Sequence, residues 1–82
     1  MISPAEAANK VKQTQNYEWV TKVVDFDAQH YVVEALPEVG KLATGCQTTF
    51  GVDKNSGQVT AFMMNDAAKR NKFINAKSLP FE

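Results

Sequence analysis

Between residues 48 and 62 apolar and polar positions alternate. Phe50 and Val52 are spaced by polar or small neighbours, and Val59 and Ala61 repeat that spacing after Gly57. A period of two is that of strands with one face buried. Between the two runs lies Asp53-Lys54-Asn55-Ser56-Gly57. Asp53 and Asn55 can accept from nearby backbone N–H groups, and Gly57 can take the positive φ that closes such a loop. The pattern predicts a hairpin running to about Met63.

The same reading extends to the rest of the chain. Ser3-Pro4-Ala5-Glu6 predicts a helix start, with Ser3 as cap, Pro4 in the first turn and Glu6 completing a capping box. Ile2 is placed to staple against Ala7. Ala7, Ala8 and Val11 form the apolar stripe, and the helix is expected to fade by Gln13 or Thr14. Tyr17 to Val24 is aromatic and β-branched and predicts a strand, with a turn at Asp25-Phe26-Asp27-Ala28. Gln29 to Leu36 predicts the next strand, with Tyr31, Val33 and Ala35 on one side and His30, Val32, Glu34 and Leu36 on the other. The short connection favours an antiparallel pair. Pro37 ends that strand. Residues 37–45 are expected to form a loop with Val39 and Leu42 tucked inward. A short helix is predicted over Ala67 to Ile74, capped by Asn65 or Asp66. Residues 75–82 are expected to lie along the body or to be loose.

The expected fold class is therefore α+β: an N-terminal helix packed on a four-stranded antiparallel sheet with one apolar face, followed by a short C-terminal helix. The expected core is Trp19, Tyr31, Val33, Phe50, Val52, Val59 and Phe62. At roughly 1.5–3 kcal/mol for each larger apolar side chain, their burial offsets the cost of ordering the chain only narrowly. A homodimer covering a sheet face or edge would relieve this, with Met63 and Met64 placed to serve in it.

With 82 residues, one domain is the sensible division, spanning residues 1–82. An apolar share of 44% suits a folded globule. Nine basic and nine acidic side chains cancel, and this balance argues against nucleic acid as a partner. No apolar run nears the roughly 18 residues that membrane insertion needs. No export signal is read at Met1, which fits a native start and an added start on an excised domain equally well.

Little in the chain points to a reaction. Cys46 alone can form no internal disulfide, and one Cys with one His cannot build a four-ligand zinc site. A thiol–imidazole pair of Cys46 and His30 has no evident third member, so His30 is read as a solvent-facing strand residue and Cys46 as a small, partly buried one. The D-x-N-x-G run at Asp53 looks like half a calcium loop, but Gln58 and Met64 stand where Gly and Glu should be, so it is read as a turn. Lys69-Arg70-Asn71-Lys72 is read as the solvated end of a helix whose dipole favours cations there. No catalytic, cofactor-binding or metal-binding residue is expected, and no cofactor.

The order of pieces adds a resemblance. Ile2-Ser3-Pro4-Ala5-Glu6-Ala7-Ala8 opens a helix; Tyr31-Val32-Val33-Glu34 follows; then come Thr49-Phe50-Gly51-Val52-Asp53 and Ser56-Gly57-Gln58-Val59. Over residues 2–62 this resembles the PepSY family, with its helix start, its "y-x-v-e" strand and its "v-x-vD-x-x-tG-x-v" hairpin. The resemblance implies a non-enzymatic module of the bacterial cell envelope or exterior, with a protein-binding or protease-inhibitory role. The same order is similar to small cystatin-like or immunity-type bacterial proteins, which also act by binding another protein. The expectation is a protein-binding module whose partner is a peptidase or a cell-surface component. The alternatives are a structural or assembly piece of a larger surface protein and, last, a thiol enzyme.

Overall fold

The computed structural model describes residues 1–37 and 47–81. The loop expected over residues 37–45 lies outside these apart from Pro37, and so does Cys46. In chain order the elements are α1 (Pro4–Gln15), β1 (Trp19–Asp25), β2 (His30–Leu36), β3 (Thr49–Asp53), β4 (Val59–Ala61), α2 (Ala67–Asn75) and β5 (Lys77–Ser78). The strands form one antiparallel sheet in the order β4-β3-β2-β1-β5. The α+β class is as expected, with five strands where four were expected.

Helix α1 begins as its sequence predicts. Ser3 Oγ accepts from the Glu6 N–H at 3.2 Å, and Glu6 Oε1 accepts from the Ser3 N–H at 3.4 Å. The helix runs to Gln15, slightly past the expected end. It stops where Asn16 adopts a left-handed conformation (φ 57°) and donates its N–H to the Lys12 carbonyl. A short polar side chain is the non-glycine type that tolerates this conformation best. Ala7, Ala8 and Val11 are fully or almost fully buried against the sheet.

Strand β1 contains the feature that decides which side chains reach that core. Val20 pairs with Ala35 and Lys22 with Glu34, so Thr21 is an extra residue with no partner across the ladder. Such a bulge reverses the alternation of everything beyond it. Val20 and Val23 thus share the α1 face, while Val24 joins Val32 on the other. The Thr21 hydroxyl donates to Glu34 Oε1 at 2.7 Å, so it is bonded although its backbone is out of register. The bulge also corrects one expectation. Trp19 is 38% exposed rather than part of the core, because it has the opposite parity to Val20 and pairs with Leu36 at the open end of the strand.

On the α1 face, Tyr31, Val33, Ala35, Phe50 and Val52 complete the cluster around the helix, and Val59 packs at its margin. Tyr17 meets Phe50 edge-on with ring centroids 5.7 Å apart. The sheet is not apolar on one face only. Val24, Val32 and Phe73 form a second cluster on the far face, joined by Phe26, Phe62, Met64 and Ala76. Phe62, expected in the single core, belongs to this one.

The hairpin turn is built from the predicted residues. Asp53 Oδ1 accepts from the N–H groups of Asn55 and Ser56, both at 2.8 Å, and Gly57 has φ 76°. Lys54 folds inward and is 8% exposed. Its Nζ donates to Asp25 Oδ1 at 2.5 Å and to the Asp27 carbonyl at 2.7 Å, and lies 5.0 Å from the centroid of the Tyr31 ring. Its backbone carbonyl accepts from the Ile2 N–H at 2.7 Å. One turn residue thus ties together the start of the chain, the β1–β2 turn and the β3–β4 turn.

The tail is not loose. Val24 pairs with Ser78 and Asp25 with Lys77, the Leu79 N–H donates to the Val23 carbonyl at 2.8 Å, and Leu79 and Phe81 pack on the α1-side cluster. Helix α2 therefore connects opposite edges of the sheet, crossing its far face from β4 to β5, with Asp66 as its cap. No helix among the described residues is long and apolar enough to cross a membrane.

Candidate functional site

A pocket of about 200 Å³ lies on the far face, between the sheet and the start of α2. Its floor is Val32 of β2, Gly51 of β3 and Thr60 of β4. Gly51 is opposite Thr60 across the ladder, and a Cβ placed on Gly51 would meet only the Thr60 hydroxyl at 3.4 Å and its carbonyl at 4.0 Å. The missing side chain is what leaves the floor open. Phe26 and Phe62 form a wall and touch edge-on, centroids 5.0 Å apart.

The polar groups stand at the rim. The β1–β2 turn brings Asp27 beside His30, with Nδ1 and Oδ1 3.1 Å apart. Asp27 Oδ1 also accepts from the N–H groups of Gln29 and His30, at 2.8 and 2.7 Å. Burial pushes the Asp27 carboxyl up, but the two backbone N–H groups and the imidazole outweigh it and hold the group below its ordinary value. The Asp27 charge is thus met by three donors on its own turn. Lys69 of α2 closes the opposite rim, its Nζ 6.0 Å from the Phe62 centroid. Two more cations flank this face: Lys72 over Phe26 at 4.7 Å and Lys22 over Phe73 at 4.9 Å. Exposed cation–π contacts of this kind are worth about 0.5–1 kcal/mol each.

Beside the pocket is the outer edge of β4. The Phe62 N–H donates to the Thr49 carbonyl and the Asp53 N–H to the Gln58 carbonyl, at 3.0 and 2.9 Å. In an antiparallel ladder bonded and non-bonded pairs alternate. Gly51 and Thr60 are therefore the bonded pair between these two. The main-chain groups of Val59 and Ala61 consequently point away from β3. Among the described residues no strand pairs with that edge.

The residues singled out in the sequence are dispersed. His30 is on the expected side of β2, but it faces the pocket and Asp27 rather than bulk solvent alone. Asp53 turns a carboxylate oxygen onto its own loop, and the N–H groups of Ser56 and Asn55 hold its carboxyl below the ordinary value. Among the described residues no three His, Cys, Asp or Glu side chains converge as metal ligands would. Lys69 and Lys72 are solvated as read, yet both also lean on the aromatic cluster. Arg70 donates to the Met64 carbonyl at 3.2 Å. Met63 is half-exposed, and Met64 packs on the second cluster.

Gly51, Thr60, Phe26 and Phe62 form no recognisable site motif along the sequence. The available signal was the pair Val23-Val24: consecutive apolar residues in a strand mean that both faces of the sheet are covered. No family model, curated protein or solved structure matches this chain.

Proposed function

We propose that this chain is a non-catalytic protein-binding module of PepSY-like build that takes an extended segment of its partner along the edge of β4. The observation that carries this reading is the outward direction of the Val59 and Ala61 main-chain groups at the end of the sheet. An added strand would satisfy them, and every second side chain of that strand would face a surface of the sheet. β4 is three residues long, which limits uncontrolled edge pairing while leaving room for a short segment.

The test is a paired capture experiment with the wild-type chain and Ala61→Pro as baits. Proline at an edge removes one outward donor and none of the inward bonds. Proteins retained by the wild type and lost by Ala61→Pro, with circular dichroism and Tm unchanged, support strand addition. If both baits retain the same proteins, the edge is not the binding surface. Retention of a peptidase, with loss of its activity on binding, would make the module inhibitory.

A further inference from the structure

We infer that the pocket beside β4 is an anchor site for one aromatic or branched apolar side chain of the bound segment, and that the segment carries a carboxylate next to that anchor. This rests on the strand-addition reading and adds the chemistry of the partner to it.

Size comes first. The pocket holds about 200 Å³. Sites for drug-sized ligands and cofactors run to ~300–1,000 Å³, whereas a cavity of ~150 Å³ already accepts benzene. The space therefore matches one side chain of phenyl size or smaller. Its walls match too: Phe26, Phe62 and Val32 offer apolar surface, and the ring edge-to-face arrangement of Phe26 and Phe62 can be extended by a third ring.

Position comes second. Thr60, Ala61 and Phe62 belong both to the β4 edge region and to the pocket lining. Thr60 lies on the pocket face while the Val59 and Ala61 main chains face outward. A strand added there would thus bring alternate side chains to the pocket side of the sheet.

Charge comes third. After its Asp66 cap, helix α2 carries Lys69, Arg70 and Lys72 and no further acidic residue. Lys69 is at the pocket rim, and Lys72 and Lys22 lie over the same aromatic cluster. The acidic group in the lining, Asp27, already accepts from the Gln29 and His30 N–H groups and pairs with the His30 ring. The α2 side of the apolar hole, with Lys69 at the rim and Lys72 over Phe26, is therefore basic. The carboxylates of Asp27, in its own turn, and Glu34, opposite Lys22, stand on the strand side of this face. An apolar residue whose neighbouring carboxylate lies towards α2 complements this arrangement.

The experiment is an amide NMR titration of the isotope-labelled full chain with a blocked hexapeptide, Thr-Val-Thr-Phe-Glu-Val, and analogues with Phe→Ala, Glu→Gln or Glu→Lys. The expected result is movement of the Gly51, Thr60 and His30 amides together with those of Val59 and Ala61. Affinity should fall about five- to tenfold for Glu→Lys and by at least as much for Phe→Ala. Lys69→Glu, an exposed change, should reverse the order of the Glu and Lys peptides. Gly51→Val should remove the advantage of Phe over Ala. Gly51→Ala, whose added Cβ has room, should do so in part and guards against a misfolded Val variant.

Equal affinity of all four peptides with movement at Val59 and Ala61 would overturn the anchor inference and leave strand addition standing. Movement at Gly51 and His30 with phenylpropionate, but none at the β4 edge with any peptide, would keep an anionic-apolar pocket and sink strand addition. Concentration-dependent movement of the β4 amides without peptide would mean that a second copy of the chain occupies the edge, and would overturn both.

Discussion

On one side of the sheet, Ala7, Ala8 and Val11 of α1 meet Val20, Val23, Tyr31, Val33, Ala35, Phe50 and Val52, and every one of these residues is buried. On the other, a single buried helical residue, Phe73, meets Val24 and Val32, and the remaining surface is half-buried aromatics under lysine stems with a 200 Å³ hole among them. Both helices are capped and both lie on the same five strands. They differ in how many apolar positions each turns inward. On the α1 side the buried residues form one close-packed cluster. Sparse packing on the α2 side leaves a space that the stability of the fold does not require to be filled. A small domain can thus hold its fold mainly with one face and leave the other less completely filled.

The strongest way to break this contrast is to truncate one aromatic residue on each face. Phe50→Ala empties the centre of the α1-side core and should lower global stability by about 3–5 kcal/mol. A chain of this length has ~4–12 kcal/mol to lose, so urea denaturation should show a largely or wholly destabilised protein. Lys54→Met keeps an apolar stem but removes the bonds to Asp25 and the Asp27 carbonyl. Its expected effect is about 1.5–3 kcal/mol, towards the lower value because the Asp25 side chain is 48% exposed and can rehydrate. The change should appear in the denaturation midpoint with an unaltered slope.

Phe73→Ala tests the α2 face. The helix is held by this one buried side chain, so it can undock rather than leave a sealed void. A transfer loss of about 1.5–3 kcal/mol is expected. Amide exchange should accelerate in α2 and β5 while β2 and β3 stay protected. Equal acceleration throughout the sheet would show that the two faces unfold as one unit.

The smallest effect concerns the turn that borders the pocket. The Asp27 carboxyl is held below its ordinary value of 3.8 in the folded chain. The unfolded chain therefore takes up that proton more readily. The corresponding stabilisation is present above the unfolded value and is lost as pH falls through the lowered folded value. Asp27→Asn should make stability less steep in pH below about 4, measured as urea midpoints at neutral and acid pH. An unchanged acid limb would mean that the turn's hydrogen bonds do not depend on its charge.

Much of the fold was legible because local signals and burial agree. The Ser3–Glu6 capping box, the Asp53–Gly57 turn and the alternation through β2 and β3 each specify their own geometry from neighbouring residues. Other features depended on distant ones. The Lys77-Ser78 segment has no strand pattern, and it pairs because α2 delivers it to the free edge of β1. Trp19 looked like core because it is large and apolar, and the bulge at Thr21 put it on the other parity. The pocket was hidden for the same kind of reason: a glycine, a threonine and two phenylalanines carry no chemistry until register sets Gly51 against Thr60 and a helix crosses above them.

By itself, then, the sequence determined the elements whose cause is local: where helices start and turns close, and which residues alternate. The tertiary structure alone decided which face each residue serves, how far the sheet extends and where a hole remains. Those outcomes follow from strand register and chain crossing, which bring together residues whose separation along the chain leaves no periodic trace.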